Sequence, residues 1–483
     1  MFLMAIVAIS CSKKVEIKGK ISQGTPLERI EIIEASGVGT LPLLNIGVDA
    51  KGEFAGEFEA PKSGMYILTY GGNATQIYLK GGQTLGLYAD AMAFPTEMKI
   101  TGDAKANNDF LKATDKAIET YTAKLNGQEL LMKKEDAFIK EYQKIKTDFL
   151  KLVDATADKH DEDTDARDYK KDEVATSLLP LLYAYETQHS IIANDPKYRA
   201  SEKFKTLKKE EEKDNDRYIK DFPRYREFKL NELNEKYTKY TETLPKNPKV
   251  VPMVSQVFAD FLKTQKDLSS TAKDYFLAYV LAQADLNYMN QKNYDKITKL
   301  IDDNISDAQI KTDLKHLQTT LMGYKVGSTP ELELQTKEGK STNLSDLKGK
   351  PTLVMFYASW NPHIALTAIP ILKEVTDFYK SKINFAYINL DDTNEQFTKT
   401  SKELLKGFAG EHYWIKGGVN SKTARDFGIY AFKMPSYILL DKDGKFYGRP
   451  FFNLGDPEFV EIMTKLTGIK APEVAPRDTS GSI

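Results

Sequence analysis

The stretch that decides the fold of this chain is Pro351–Ile364, PTLVMFYASWNPHI. Its first half is an apolar, β-rich run that follows Lys-Gly-Lys, and a run of this kind predicts a central parallel strand covered on both faces. The second half predicts a turn and then a helix start, where Pro362 is favourable because proline fits the first helical turn. We expect the turn to present Trp360 and its neighbours to solvent.

This stretch is one of a series of segments within residues 326–469. The series comprises Val326-Gly327 with Pro330, LSDLKGKPTLVMFYASW, the strand-like NFAYINLDD, KTARDFGIYAFKMPSYILLDKDGK and a last amphipathic helix. This order resembles the thioredoxin superfamily, specifically the TlpA/ResA-like thiol-disulfide reductases of bacterial envelopes. The resemblance implies a C-terminal α/β thioredoxin-like domain over residues 326–470.

The resemblance also implies an active site of the form Trp-Cys-x-x-Cys, with a thiolate at a helix N-terminus and a second cysteine that resolves the mixed disulfide. Aligned on Trp360, the two cysteine positions are Asn361 and Ile364. The chain has a single cysteine, Cys11, far from this domain, and Met355 stands where many relatives carry a buried acid. We therefore expect no autonomous thiol redox activity, assign no catalytic residue, and lean towards a protein that is not an enzyme.

A binding groove is the family feature that remains. Met434-Pro435 matches the X-Pro that in relatives is cis and lets an extended peptide pair with the exposed backbone beside the active site. The predicted groove consists of Trp360, Asn361, Pro362, His363, Met434 and Pro435. His363 is the titratable group of the turn, and an exposed turn histidine is favoured over a ligand contact.

The first ten residues, MFLMAIVAIS, form an apolar run that is too short to span a bilayer, which needs about 20 residues. Residues 1–10 are interpreted as a signal-peptide remnant, and Ala8-Ile9-Ser10-Cys11 resembles a bacterial lipobox, which implies diacylation of Cys11. The alternative is a buried strand with an incidental cysteine. The run lacks a basic amino-terminal region, which predicts a start codon placed too late or a truncated sequence. The lipobox predicts an outer membrane lipoprotein that faces the periplasm or the cell surface.

The two segments between these ends differ in the period at which apolar residues recur. Residues 11–103 alternate in the two-residue rhythm of strands and predict an all-β sandwich, which resembles a small β domain of unknown function in Bacteroidota lipoproteins. Residues 104–325 change to the helical period and predict several antiparallel helices, broken at Pro180, Pro223, Pro245, Pro248 and Pro252. Residues 471–483 are predicted to be a flexible tail.

Other classes of site are disfavoured. A net charge of -1 with 28% charged residues gives no indication of a nucleic-acid partner. The acidic residues of 161–172 have part of a calcium-loop spacing, but Ala166 replaces the required glycine, so a solvated acidic turn is favoured. Asp391 and Asp392 close a predicted central strand and receive no catalytic role. No metal ligands and no cofactor are predicted.

These observations predict a cell-envelope lipoprotein with a β sandwich, a helical middle region and a redox-inactive thioredoxin-like domain. Its function is expected to be the binding of an extended polypeptide or a partner protein. One alternative is a protein of the oxidoreductase family that acts with the cysteines of a partner. Another is that the helical region carries the function and the other domains display it.

Overall fold

The computed structural model describes residues 13–246 and 251–470, so the signal-peptide remnant, Cys11, Pro248 and the predicted tail lie outside it. The described residues form two compact units. The first contains the chain up to Ala284 together with Asp302–Lys311, and the second contains Asp285–Ile301 and the chain from Thr312 onward.

The first unit begins with two packed sheets. Their strands are β1 (Lys14–Ser22), β2 (Arg29–Glu34), β3 (Pro42–Gly47), β4 (Glu53–Glu59), β5 (Gly64–Tyr70), β6 (Asn73–Leu79), β7 (Thr84–Asp90) and β8 (Lys99–Thr101). One sheet has the order β4-β1-β7-β8 and the other β3-β2-β5-β6. The predicted β sandwich is confirmed.

The alternation of β1 shows why the sandwich forms. Val15, Ile17 and Ile21 point inward and are almost fully buried, while the charged residues between them face outward. Gly19 occupies the inward position between the two isoleucines, where a Cβ atom would overlap the carbonyl of Leu87 on β7. The glycine is therefore required by the close approach of two strands.

The rest of the first unit is helical, as predicted. Its helices are α1 (Lys105–Thr122), α2 (Gly127–Met132), α3 (Glu135–Ala157), α4 (Thr164–Ile192), α5 (Glu202–Glu211), α6 (Asn215–Asp221), α7 (Pro223–Asn231), α8 (Asn234–Glu242), α9 (Val254–Thr264) and α10 (Ser270–Val280). Two further helices, α11 (Tyr294–Asn304) and α12 (Ala308–Met322), have residues in both units.

The prolines act on these helices in two ways. Pro223 begins α7, and Pro245 and Pro252 lie between helices, as expected. The prediction that Pro180 breaks the chain is wrong, because α4 continues through it. An interior proline costs a helix about 3 kcal/mol, but Leu178 and Leu182 beside it are buried, and each fully buried leucine contributes about 1.5–3 kcal/mol.

The second unit is built on a mixed sheet of order β10-β9-β13-β12-β11-β14. Its strands are β9 (Glu333–Gln335), β10 (Ser341–Asn343), β11 (Thr352–Tyr357), β12 (Asn384–Asn389), β13 (Glu411–Trp414) and β14 (Ser436–Leu440). Its further helices are α13 (Ile369–Tyr379), α14 (Asn394–Glu403), α15 (Lys422–Asp426) and α16 (Pro457–Thr467). β11 runs parallel to β12 and antiparallel to β14, which makes it the inner strand that its apolar run predicts.

Residues upstream of β9 belong to the same unit. The ring of Tyr324 stacks on Phe446 at 4.8 Å between centroids, and Tyr288 packs edge-on against Phe452 at 5.3 Å. Both aromatic pairs lie within the second unit, so its core extends beyond the α/β sheet. Among the described residues, no helix has the length and hydrophobicity needed to cross a bilayer.

Candidate functional site

The candidate site is the turn that directly follows β11. All six residues of β11 are buried, and the chain then turns through Ser359 and Trp360 and enters a helix at Pro362. A π-helical turn, Ile364–Ala368, leads from this start into α13. Wider turns of this kind occur often at functional sites.

Asn361 and Ile364, at the two positions where the resemblance places cysteines, are both buried. The side-chain amide of Asn361 donates to the carbonyl oxygen of Met434 at 2.8 Å, and its Oδ1 accepts the N–H of His363 at 3.0 Å. Ile364 is 0% exposed and belongs to the apolar core on the α13 side of the sheet. A hydrogen-bonded amide and a packed aliphatic side chain thus fill the two positions.

The loop opposite this turn contains Met434 and Pro435, and the peptide bond between them is cis. Met434 is buried, and its N–H donates to the carbonyl of Ala431 at 3.2 Å. Because its own carbonyl accepts the Asn361 amide, both main-chain polar groups of Met434 are engaged inside the domain. A peptide that pairs with this backbone must compete with Asn361.

Trp360 is placed differently from the expectation. It is only 9% exposed and packs in the core on the other side of the sheet, with Phe356, Leu390 and Met434. The expectation that the turn presents it to solvent is wrong, because the indole is a large apolar group that is removed from water by packing in this core. Pro362 and His363 are exposed instead.

An open pocket of about 400 Å³ adjoins the exposed side of the turn. Its lining is mainly apolar and brings together parts of the chain that are distant in sequence: His363, Thr367, Ala368, Ile371, Pro435, Tyr437, Phe452, Asn453 and Leu454. Of the predicted groove residues, His363 and Pro435 line this pocket, whereas Trp360, Asn361 and Met434 lie buried behind it. The sequence did not indicate Ile371 or Phe452, because nothing in the local pattern separates them from core residues.

Asp391 holds the turn in place. Its carboxylate is fully buried, and Oδ1 accepts the N–H of Ser359 at 2.6 Å and the Ser359 hydroxyl at 2.9 Å. Oδ2 accepts from Asn389 Nδ2 and from the Thr400 hydroxyl, each at 2.9 Å. The four donors belong to the turn, the end of β12 and α14, so one carboxylate ties three segments together. Asp391 therefore positions the turn relative to β12 and α14.

A second anchor fixes the loop on the Met434 side. The ammonium of Lys433 donates to the carbonyls of Thr320 and Gly428, and His316 Nε2 lies 2.9 Å from the hydroxyl of Tyr430. Burial lowers the pKa of Lys433 to about 8. The anchor joins the loop to the C-terminal turns of α12. Its one sequence signal is a lone charge within the apolar run YAFKMPSYILL.

The acidic residues singled out in the sequence form no metal site. Asp165 and Asp172 lie within α4, which rules out a single calcium loop through Asp161 and Asp163. Within residues 13–246 and 251–470, no cluster of histidine, cysteine or acidic side chains has the arrangement of a metal site.

Comparison with known proteins agrees with this architecture. Residues 327–447 match the AhpC/TSA family. The C-terminal unit carries a thioredoxin-like domain. The predicted fold class, a β sandwich followed by a helical region and a thioredoxin-like α/β domain, is confirmed. No curated protein matches the chain.

Several solved structures are similar to this part of the chain. One is the C-terminal domain of a candidate thiol-disulfide oxidoreductase from Bacteroides thetaiotaomicron, 29% identical over 30% of this chain and 96% of that one, with a TM-score of 0.26. Another is a thiol-disulfide oxidoreductase from Bacteroides fragilis, 23% identical over 28% of this chain and 97% of that one, with a TM-score of 0.24. A third is the thioredoxin domain of a thiol-disulfide oxidoreductase from Bacteroides vulgatus, 20% identical over 30% and 99% of the two chains, with a TM-score of 0.25.

The role of Asp391 predicts that Asp391→Ala lowers the unfolding free energy of the thioredoxin-like domain by about 2–4 kcal/mol, because buried donors lose their acceptor. The chain has two tryptophans, Trp360 and Trp414, and both lie in this domain, so tryptophan fluorescence during denaturant unfolding reports on it selectively. Asp443→Ala, which removes an exposed acid of the same domain, is the matched control and is expected to change the value by less than about 0.5 kcal/mol. Equal, small effects of both substitutions would contradict the positioning role.

Proposed function

We propose that this protein is a cell-envelope lipoprotein whose thioredoxin-like domain binds polypeptide without exchanging disulfides. The observation that supports the proposal is the state of the turn: Asn361, at a position where the resemblance places a cysteine, is bonded to Met434, while an open apolar pocket lies beside it. Thiol exchange requires a thiolate, and Cys11 is the only cysteine of the chain.

The pocket supports binding of a side chain rather than pairing of a backbone. Ile371 is 38% exposed and Phe452 is 36% exposed, and both line the pocket together with Pro435. Apolar side chains that remain in contact with water at a concave surface favour an apolar guest, because burying them removes them from water. The proposed ligand is therefore an unfolded or extended polypeptide that inserts an apolar side chain at this place.

Binding is tested with reduced, carboxymethylated α-lactalbumin, a permanently unfolded protein without free thiols. Ile371→Asp is expected to raise the Kd for this probe by about tenfold or more, because a carboxylate in the pocket must be desolvated. Phe378→Asp is the matched control, because Phe378 lies on the same helix, is 40% exposed and does not line the pocket. Fluorescence anisotropy with labelled probe measures both constants.

Two results would reject this site. One is an equal loss of binding in both variants, which would indicate a general charge effect. The other is no loss in Ile371→Asp, which would place the bound polypeptide elsewhere on the chain.

The absence of redox chemistry has its own test. The wild-type chain is expected to reduce insulin disulfides no faster than the thiol donor alone, whereas Asn361→Cys with Ile364→Cys, in a Cys11→Ser background, is expected to form an intramolecular disulfide. The N–H of Ile364 donates to the carbonyl of Asn361, which closes a turn with Cα atoms less than about 7 Å apart, within reach of a disulfide.

The disulfide is measured by thiol alkylation and mass spectrometry against a glutathione buffer. Asn361→Cys alone is the control, since it supplies a thiol without a resolving partner. Insulin reduction by the Cys11→Ser chain would overturn the non-redox proposal and favour a function that follows the oxidoreductase family. Failure of the double variant to form the disulfide would show that the turn is positioned differently.

The lipoprotein part of the proposal rests on the sequence around Cys11, which lies outside the described residues. Cells that express the chain behind a bacterial lipoprotein signal peptide are expected to incorporate labelled palmitate into it and to retain it in the membrane fraction. Cys11→Ser should lose the label and move to the soluble fraction, because stable anchoring depends on acyl chains. Unchanged partitioning of Cys11→Ser without detectable lipid would disprove the anchor.

A further inference from the structure

The first compact unit contains a strand with an open edge. β6 is the last strand of the sheet β3-β2-β5-β6, and it pairs on one side with β5. Ala74 and Gln76, in its first half, are exposed. A strand at the edge of a sheet offers main-chain donors and acceptors to another extended chain.

The hairpin shows which groups point outward. Gly71 and Gly72 both have positive φ, so Tyr70 and Asn73 form the hydrogen-bonded pair that closes a two-residue turn. Hydrogen-bonded pairs then recur at every second residue, which leaves the main-chain groups of residues 74, 76 and 78 directed away from β5.

Asn108 on α1 confirms this orientation. Its side-chain amide donates to the carbonyl of Tyr78 at 2.9 Å, and its Oδ1 accepts the N–H of Tyr78 at 2.8 Å. Asn108 therefore completes the edge at Tyr78. Within residues 13–246 and 251–470, the outward main-chain groups of Ala74 and Gln76 have no such partner.

The exposed part of the edge also lacks the usual protection. Natural edges are blocked by charged side chains, prolines, bulges or a covering element. Residues 73–76 read Asn-Ala-Thr-Gln, without charge or proline, and the pairing of β5 with β6 has no register shift. An extended chain can approach these residues without meeting a repulsive group on the strand.

A cavity of about 510 Å³ lies along this edge and has two different walls. Met98 and Ile100, beside and within β8, form part of one wall, and they belong to the apolar side that faces the sandwich core. The other wall comes from α1 and α4 and includes Asp115, Lys170 and Glu173. A volume of this size is in the range of pockets that hold a ligand.

The second wall has a surplus of negative charge. The Lys170 side chain is 4% exposed, and its ammonium is paired with both Asp115 and Glu173. Burial lowers the pKa of Lys170, but Glu173 and Asp115 outweigh that effect and raise the pKa overall, so the ammonium stays charged. Asp109 and Lys112 on α1 also line the cavity, so three carboxylates face two ammonium groups and leave a net charge of about -1 that a basic side chain can compensate.

We propose that the free edge of β6 binds an extended polypeptide segment in which apolar and basic side chains alternate. The segment adds a strand by pairing with the main chain of Ala74 and Gln76, and Asn108 ends the pairing at Tyr78. Because successive side chains of a strand point to opposite faces, the apolar ones face Met98 and Ile100 and the basic ones face Asp115 and Glu173. This site is independent of the thioredoxin-like domain and of its proposed function.

The probe is a fluorescein-labelled peptide of alternating lysine and valine, Lys-Val-Lys-Val-Lys-Val-Lys, titrated with the full chain and followed by anisotropy. Gln76→Pro removes the outward N–H without removing a bond to β5, since proline is tolerated at such edge positions. It is expected to raise the Kd by about tenfold or more. Gln76→Ala keeps the N–H and is the matched control, with an expected change of less than about threefold.

Modified peptides, used with the wild-type chain, keep the test decisive if Gln76→Pro folds poorly. N-methylation of the valines blocks donation along one edge of the peptide, and N-methylation of the lysines blocks it along the other. One of these two peptides is therefore expected to bind about tenfold more weakly, and which one depends on the direction of the added strand. The peptide with glutamate in place of lysine is also expected to bind more weakly, because it meets Asp115 and Glu173.

The proposal has three contrary outcomes. Equal affinity for the plain peptide and for both N-methylated peptides would show that the backbone of the edge does not take part. No binding of the lysine peptide at about 1 mM would show that the edge is not a site for such segments. A dimer in sedimentation that Gln76→Pro abolishes would assign the edge to a second copy of this chain and overturn the proposed partner.

Discussion

The carboxylate of Asp391 is the constraint on which the thioredoxin-like domain depends. A buried anion is tolerated only when its oxygens are satisfied, and here four neutral donors from three segments converge on it. The need to satisfy this group fixes Ser359, and Ser359 is two residues from Asn361. The position of Asn361 in turn allows its amide to reach Met434. The geometry of the turn thus follows from the burial of one charge behind it.

This arrangement explains how the turn remains folded without the cysteines that the resemblance leads one to expect. Asparagine is among the residues that best cap the start of a helix, because its short side chain accepts a main-chain N–H. Asn361 does this for His363 and also bonds to the opposite loop. Asn361, which stands where the resemblance places a cysteine, therefore holds the turn and the opposite loop together. The fold of the domain therefore gives no indication of its chemistry, which depends on the side chains present.

The parts of the structure that could be predicted are those that a pattern within one short segment of the sequence determines. Period-two alternation predicted the sandwich, and the apolar run of β11 predicted an inner strand, since both patterns reflect burial along one segment. Pro180 was misjudged because local propensity yields to the packing of leucines on either side. Trp360 was misjudged because the direction of a turn is set by distant groups such as Asp391.

The same limit applies to the candidate sites. The hydrogen bonds to Asp391 form only when three segments of the chain are assembled, and they come from Ser359, Asn389 and Thr400. The spacing of these residues in the sequence does not predict that they are in contact. The pocket beside His363 joins α13 to residues 452–454, which are more than 80 positions further along the chain. The open edge of β6 is a property of sheet order, which the alternation of a single strand does not contain.

Residues that precede the thioredoxin-like domain in sequence help to hold the loop at the candidate site. The sequence resemblance begins at residue 326, yet Thr320 on α12 accepts the Lys433 ammonium and Tyr324 stacks on Phe446. Lys433 immediately precedes Met434, so α12 helps to hold the loop that faces Asn361. A fragment cut at residue 326 would remove the Thr320 acceptor, leave the Gly428 carbonyl as the remaining acceptor of that ammonium, and expose an aromatic face, at a cost of about 1–3 kcal/mol for the lost acceptor alone. The loop beside the pocket is therefore stabilised by Thr320 and Tyr324, which precede the α/β sheet in sequence and belong to the same compact unit.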